Sequence, residues 1–121
     1  MKDILSVSES ELEIMQVLWK SDMPLSIRSV QERLSGVDWK YNTVGTLLLR
    51  LEAKGAVSSK KNGRTIEYKP ELDEEVYKSV RTRSLVEKLY NGSVKELAVS
   101  LFKSDTMTKE DIDEIKKMFD L

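Results

Sequence analysis

Asn42, Thr43, Gly45 and Thr46 stand together at the start of an amphipathic stretch, and Lys60, Lys61 and Arg64 crowd a short turn further on. Small hydrogen-bonding side chains followed by a knot of fixed positive charge suit double-stranded DNA. An Asn pairs bidentately with adenine, and a Thr methyl meets the thymine methyl, each good base contact discriminating by about 1–3 kcal/mol. Lys and Arg meet phosphates, which supply affinity and register but no direct sequence information. Lys40 and Tyr41 precede the stretch and Arg50 lies further along it, all three placed to reach phosphates. Ser26 and Arg28 open a shorter helical segment whose free amides favour a phosphate. Each residue also has a plainer reading. Asn42 can be only the cap of its helix, and Thr43 and Thr46 merely exposed. The lysines can be hairpin solubility charges, and Trp39 suits an anchor for its loop better than a stacking platform.

The elements that must carry these residues follow from periodicity. Val44, Leu47, Leu48 and Leu51 form one stripe of a helix expected from Asn42 to Lys54, stopped by Gly55. Ala56–Ser59 and Thr65–Lys69 are strand candidates, and the Asn62-Gly63 pair between them signals a tight hairpin. Pro70 ends the second strand. Upstream, Ser8 and Glu11 make a capping box for a helix over 9–20, with Leu12, Met15, Val17, Leu18 and Trp19 at helical spacing. Pro24 holds Met23 and Leu25 extended, as a minimal edge strand. Ser26 then caps a short helix carrying Ile27, Val30 and Leu34, ending near Ser35-Gly36. Helix, strand, helix, helix and hairpin, in that order, make a helix-turn-helix extended by a wing.

Composition narrows the function classes. The chain of 121 residues has no cysteine and no histidine. Thiolate nucleophiles, histidine bases and ordinary zinc sites are therefore excluded, and no paired-carboxylate or Lys/Ser constellation stands out. We expect no enzyme, no cofactor and no metal. No apolar run approaches the roughly 20 residues that span a bilayer, and the opening MKDILSVSESE has no apolar signal core. The expectation is a cytoplasmic protein with no membrane insertion. The net charge of −1 hides an asymmetry. Residues 40–69 hold 7 basic side chains (Lys40, Arg50, Lys54, Lys60, Lys61, Arg64, Lys69) against 2 acidic (Glu52, Glu67), or +5. Residues 71–121 hold 9 Lys+Arg against 12 Asp+Glu, or −3. A local patch of the first kind suits a phosphate backbone.

Beyond Pro70 three amphipathic helices are expected. Asp73 caps one through about Tyr90, closed by Asn91-Gly92; Ser93 opens a second; Thr106 or Thr108 caps the last. Three short helices are too few to enclose a core alone. A second copy of the chain is the preferred partner, since helix-turn-helix proteins dimerise to read two half-sites. Packing within one subunit is the other arrangement. The expected fold is mainly α with a small β wing: a winged helix-turn-helix DNA-binding domain over 1–70 and a C-terminal three-helix dimerisation region over 71–121.

The strings SESELEIMQVLW, TVGTLLLRLEAKGAV and GRTIEYKP, with SLVEKLYNGSVKELAVSLF later, are the most specific pieces of a likeness that covers nearly the whole chain. In them it resembles the penicillinase-repressor family, the transcriptional repressors of β-lactamase and methicillin-resistance operons. The resemblance implies a homodimer that binds a palindromic operator and blocks transcription. It also implies an induction route, in which a membrane-bound β-lactam-sensing metalloprotease system leads to cleavage of the repressor in its C-terminal domain. The matching position is Ser100-Leu101, beside Phe102, where the family usually has Asn-Phe. Asn42 and Gly45 stand where relatives often carry basic residues, and Tyr41 where a proline is common. The copper-responsive branch uses a C-terminal cysteine cluster, which this chain lacks. The expected function is a dimeric DNA-binding repressor of a β-lactamase or related resistance or stress operon. The alternative is a winged-helix protein-interaction module without specific DNA binding.

Overall fold

A computed structural model describes residues 6–119; residues 1–5, the start of the segment read above for a signal core, lie outside it. The elements run α1 (Glu9–Lys20), β1 (Leu25–Ser26), α2 (Ile27–Arg33), α3 (Tyr41–Ala53), β2 (Val57–Asn62), β3 (Thr65–Pro70), α4 (Glu74–Leu89), α5 (Val94–Lys103) and α6 (Lys109–Met118). The mainly helical class with a small antiparallel sheet is as expected. The chain divides into two compact units, one up to Val80 and the other from Arg81 on.

In the first unit α1 begins where Ser8 and Glu11 cap each other's amides, the full capping box. Ile14, Met15 and Leu18 of α1 meet Val30 of α2 and Val44, Leu48 and Leu51 of α3 in a core that water does not reach. Burying each such side chain stabilises the fold by about 1.5–3 kcal/mol before entropy is counted. The end of α3 is a complete Schellman motif: the Ala56 amide donates to Leu51 O and the Gly55 amide to Glu52 O. Gly55 takes φ +81°, which a side chain would resist. The chain thereby reverses straight into β2. The sheet has the order β1-β3-β2, all antiparallel, with Leu25 opposite Tyr68 and Val57 opposite Pro70.

Several boundaries differ from expectation. Helix α3 starts at Tyr41, one residue early, and α2 stops at Arg33, capped by Leu34 before Ser35-Gly36. Strand β2 continues past Ser59 through both lysines to Asn62, because ladder pairing with β3 holds a polar stretch that has no apolar alternation. Asn62 pairs with Thr65, so the two loop residues are Gly63 and Arg64 rather than Asn62 and Gly63. Gly63 at φ +66° leads that turn, as a type II′ turn requires. The first unit also extends beyond Pro70. Trp19 Nε1 donates to Leu72 O at 2.8 Å and its ring lies 5.7 Å from that of Tyr77, which fastens the start of α4 to α1.

In the second unit Asn91 and Gly92 both adopt positive φ and end α4. Ser93 caps α5, and Thr108, in a capping box with Asp111, caps α6. Neither α5 nor α6 buries a residue. Leu89, Val94, Phe102, Met118 and Phe119 are all exposed.

Candidate nucleic-acid interface

Helix α3 turns its stripe of Val44, Leu47, Leu48 and Leu51 inward and leaves Asn42, Thr43, Thr46, Leu49 and Arg50 outside. Its cap is Lys40, whose side chain makes no capping bond. Asn42 is therefore not a cap: it lies inside the first turn, exposed, with no side-chain partner among the described residues. Thr43 is likewise exposed. Thr46 is exposed but not idle, since its Oγ1 donates to Asn42 O at 2.9 Å. Gly45 is only half-exposed and faces α2; a Cβ there would sit 3.4 Å from Ile27 Cδ1. Trp39 packs against the core and its carbonyl accepts from Gln31 Nε2, which fits the anchor reading.

Sequence reasoning left one residue of this face unassigned. Leu49 is 60% exposed, one turn beyond Thr46 on the same stripe. The available signal was its place at i+7 from Asn42 among polar neighbours.

At the start of α2, Ser26 caps the helix by accepting from the Ser29 amide. Arg28 points towards α3, its guanidinium carbon 5.4 Å from the centroid of the Tyr41 ring. Across from them stands the wing. Strand alternation splits its charges: Lys61, opposite Ile66, lies on the face that Ser59 and Tyr68 turn towards α3, whereas Lys60, opposite Glu67, lies on the other. Arg64 sits at the tip. Ser26, Arg28, Tyr41, Arg64 and Thr65 line one cleft of about 390 Å³. The fold thus brings together residues from α2, α3 and the wing that the sequence placed far apart, and turns Lys60 away from Lys61.

Ion pairing sharpens the charge count. Of the seven basic residues between 40 and 69, Lys54 pairs with Glu11 and Lys69 with Glu71. The other five, Lys40, Arg50, Lys60, Lys61 and Arg64, have no ion pair among the described residues. The two acidic residues are themselves engaged, Glu52 by Ser59 Oγ and Glu67 by Asn62 Nδ2. The excess charge is consequently free to meet an external anion.

Behind the interface, buried Glu11 takes the Ser8 amide and Lys54 Nζ on one oxygen, while Lys54 also donates to Ser6 O. Burial alone would push the Glu11 carboxyl up. The hydrogen bonds from Lys54 and Ser8, with the Lys54 charge, outweigh it and hold the carboxyl below its ordinary range. This cluster ties the last turn of α3 to the first turn of α1.

Ser100 and Leu101 lie where the second turn of α5 meets the third, within the second unit. Ser100 Oγ accepts from Tyr90 Oη at 3.1 Å, and Leu101 is exposed. Among the described residues no helix is long and apolar enough to cross a membrane.

The family model described as penicillinase repressor matches residues 7–120. The chain is 32% identical over 120 residues to the penicillinase repressor of Bacillus licheniformis, covering 99% of this chain and 94% of that protein. It is 23% identical to the methicillin resistance regulatory protein MecI of Staphylococcus aureus, over 93% of this chain and 91% of the other. Its fold is similar to the solution structure of the Bacillus licheniformis BlaI monomeric form in complex with the blaP half-operator. The TM-score is 0.51 at 41% identity, over 62% of this chain and 92% of that one. The expectation of a regulator and not an enzyme agrees with these findings. With the helix-turn-helix, the wing and the match along nearly its whole length, the chain belongs to the penicillinase repressor family of winged-helix transcriptional repressors.

Proposed function

We propose that the chain is a homodimeric repressor that reads a palindromic operator, each protomer laying α3 in a major groove and its wing on the flanking backbone. The observation that carries this reading is the set of five unpaired cations gathered on α3 and the wing. In it Asn42, Thr43, Thr46 and Leu49 face base edges, Gly45 lets α3 approach α2, and Lys40, Arg50, Lys60, Lys61, Arg64, Ser26 and Arg28 meet the backbone, with Tyr41 beside Arg28. The likeness to BlaI, solved with a half-operator, supports the same docking. The apolar residues that α4, α5 and α6 leave exposed support assembly through the second unit.

The test is fluorescence anisotropy of the full chain with a duplex from its own promoter and a random duplex, across a salt series. Each phosphate neutralised contributes about −0.9 to the slope of log K against log salt, so five per protomer give a dimer up to about −9. Equal affinity for both duplexes at moderate salt would end the repressor reading in favour of a protein-interaction module.

The regulated genes in this reading are a β-lactamase or related resistance operon, and induction proceeds by cleavage between Ser100 and Leu101. Both rest on family likeness. Mass spectrometry of the chain from β-lactam-treated cells should find a new terminus at Leu101. Full derepression with an intact chain would sink the cleavage step.

A further inference from the structure

Arg28 and Tyr41 belong to different helices, yet the guanidinium sits 5.4 Å above the ring. Both line the cleft of about 390 Å³ that Arg64 and Thr65 close from the wing side. No carboxylate lines that cleft, and neither arginine has an ion pair among the described residues. Two arginines on the wall of one concave space that no carboxylate lines make a site for a tetrahedral or phosphodiester anion. Ser26 does not compete for it, because its hydroxyl is engaged with the amide and hydroxyl of Ser29.

Tyr41 has a distinct part. It is 43% exposed, and its ring is the surface against which Arg28 rests. An arginine on an open helix start samples many rotamers and loses that freedom when it grips an anion. Stacked on a ring, it has already lost much of it. We propose that Arg28 and Arg64 form a clamp for a single DNA phosphate, and that Tyr41 is the positioning residue that holds Arg28 ready. This rests on the reading of the chain as a DNA-binding repressor, and deepens it: Tyr41 acts through Arg28, not as a phosphate ligand of its own.

The experiment uses the full chain and a short duplex of arbitrary sequence, because a phosphate contact is indifferent to bases. Affinity is read by anisotropy across a potassium chloride series. Arg28→Ala and Arg64→Ala should each make the salt slope shallower, and because both grip one phosphate the double variant should lose about 0.9 per engaged protomer in total. Tyr41→Ala should weaken binding about two- to fivefold per protomer, the size of an exposed cation–π contact. Tyr41→Phe, which keeps the ring, should restore most of that loss. In the Arg28→Ala background, Tyr41→Ala should cost nothing further. Tyr41→Leu, with an apolar helix-compatible side chain and no π face, guards against a fold defect and should match Tyr41→Ala.

Three results overturn the clamp. One is an unchanged salt slope in Arg28→Ala. Another is Tyr41→Phe as weak as Tyr41→Ala, which would make the hydroxyl itself the contact. The third is an equal Tyr41→Ala loss with and without Arg28. If instead the unaltered chain shows no salt-dependent binding to any duplex, the DNA-binding reading itself falls, and the clamp with it.

Discussion

Lys54→Met removes the cation facing Glu11 while keeping an unbranched stem of similar reach. Glu11 is 2% exposed, and the oxygen that binds Lys54 Nζ at 2.5 Å also accepts the Ser8 amide at 2.8 Å. Breaking a buried pair by deleting one partner typically costs about 3–5 kcal/mol. Here the Lys54 side chain is 30% exposed and the Ser8 amide remains, so the loss belongs at or just below the low end, about 2–3 kcal/mol. For a unit of this size each kcal/mol moves Tm by about 4–8 °C, so the melt should fall by about 8–24 °C. The pH dependence carries the sharper test. The folded carboxyl titrates below its unfolded value, so the stability it contributes is present above the unfolded pKa of about 4.3 and is lost as pH falls through the folded one. In the variant, burial is opposed by the Ser8 contacts alone and the carboxyl protonates sooner. The difference between the two chains is full at neutral pH and closes below about pH 4. Thermal melts by circular dichroism from about pH 3 to pH 8 read both quantities. A difference that stays constant across that range would rule out the Glu11 carboxylate as its source. A neutral-pH loss under about 0.5 kcal/mol, the size of a surface pair, would refute the reasoning as well.

The wing should prove two-sided: Lys61→Ala flattens the salt slope by about 0.9 per protomer, whereas Lys60→Ala, opposite Glu67, flattens it less. Equal slopes in the salt series would contradict that. Gly45→Ala should raise stability by about 0.4–1 kcal/mol, since the added Cβ makes only ordinary contact with Ile27; a lower Tm would count against it. Leu49→Ala should weaken binding to the promoter duplex more than to a random one, as expected of an apolar contact with a thymine methyl; equal weakening would remove Leu49 from base reading.

Much of this architecture was legible because its signals are local. The capping box of Ser8 and Glu11 lies within one turn, and the stripe of Val44, Leu47, Leu48 and Leu51 repeats at helical spacing. Gly55 and Asn91-Gly92 stop helices through backbone conformations that few other residues adopt readily. What was not legible depends on how elements cross. No spacing rule links Glu11 to Lys54 or Arg28 to Tyr41, since each pair meets only after α1, α2 and α3 have packed. The hairpin shows the same limit at short range: Asn62-Gly63 located the turn, but pairing along the ladder decided which two residues form it. Leu49 escaped because a leucine among leucines looks like core until the packing shows which way it points. Pro70 marked the end of the wing correctly, yet the side chains of Trp19 and Tyr77 carry the first unit beyond it.

The bond from Thr46 Oγ1 to Asn42 O bears on which bases this helix can accept. A hydroxyl has one proton to give, and Thr46 gives it to its own helix. On the proposed docking, Thr46 meets DNA with lone pairs and a methyl group only. It can take a proton from the amino group of adenine or cytosine, or pack on a thymine methyl. It has nothing to offer guanine, whose major-groove edge presents two acceptors. The operator position beneath Thr46 should therefore exclude guanine, a preference imposed by the inside of the helix on its outer face.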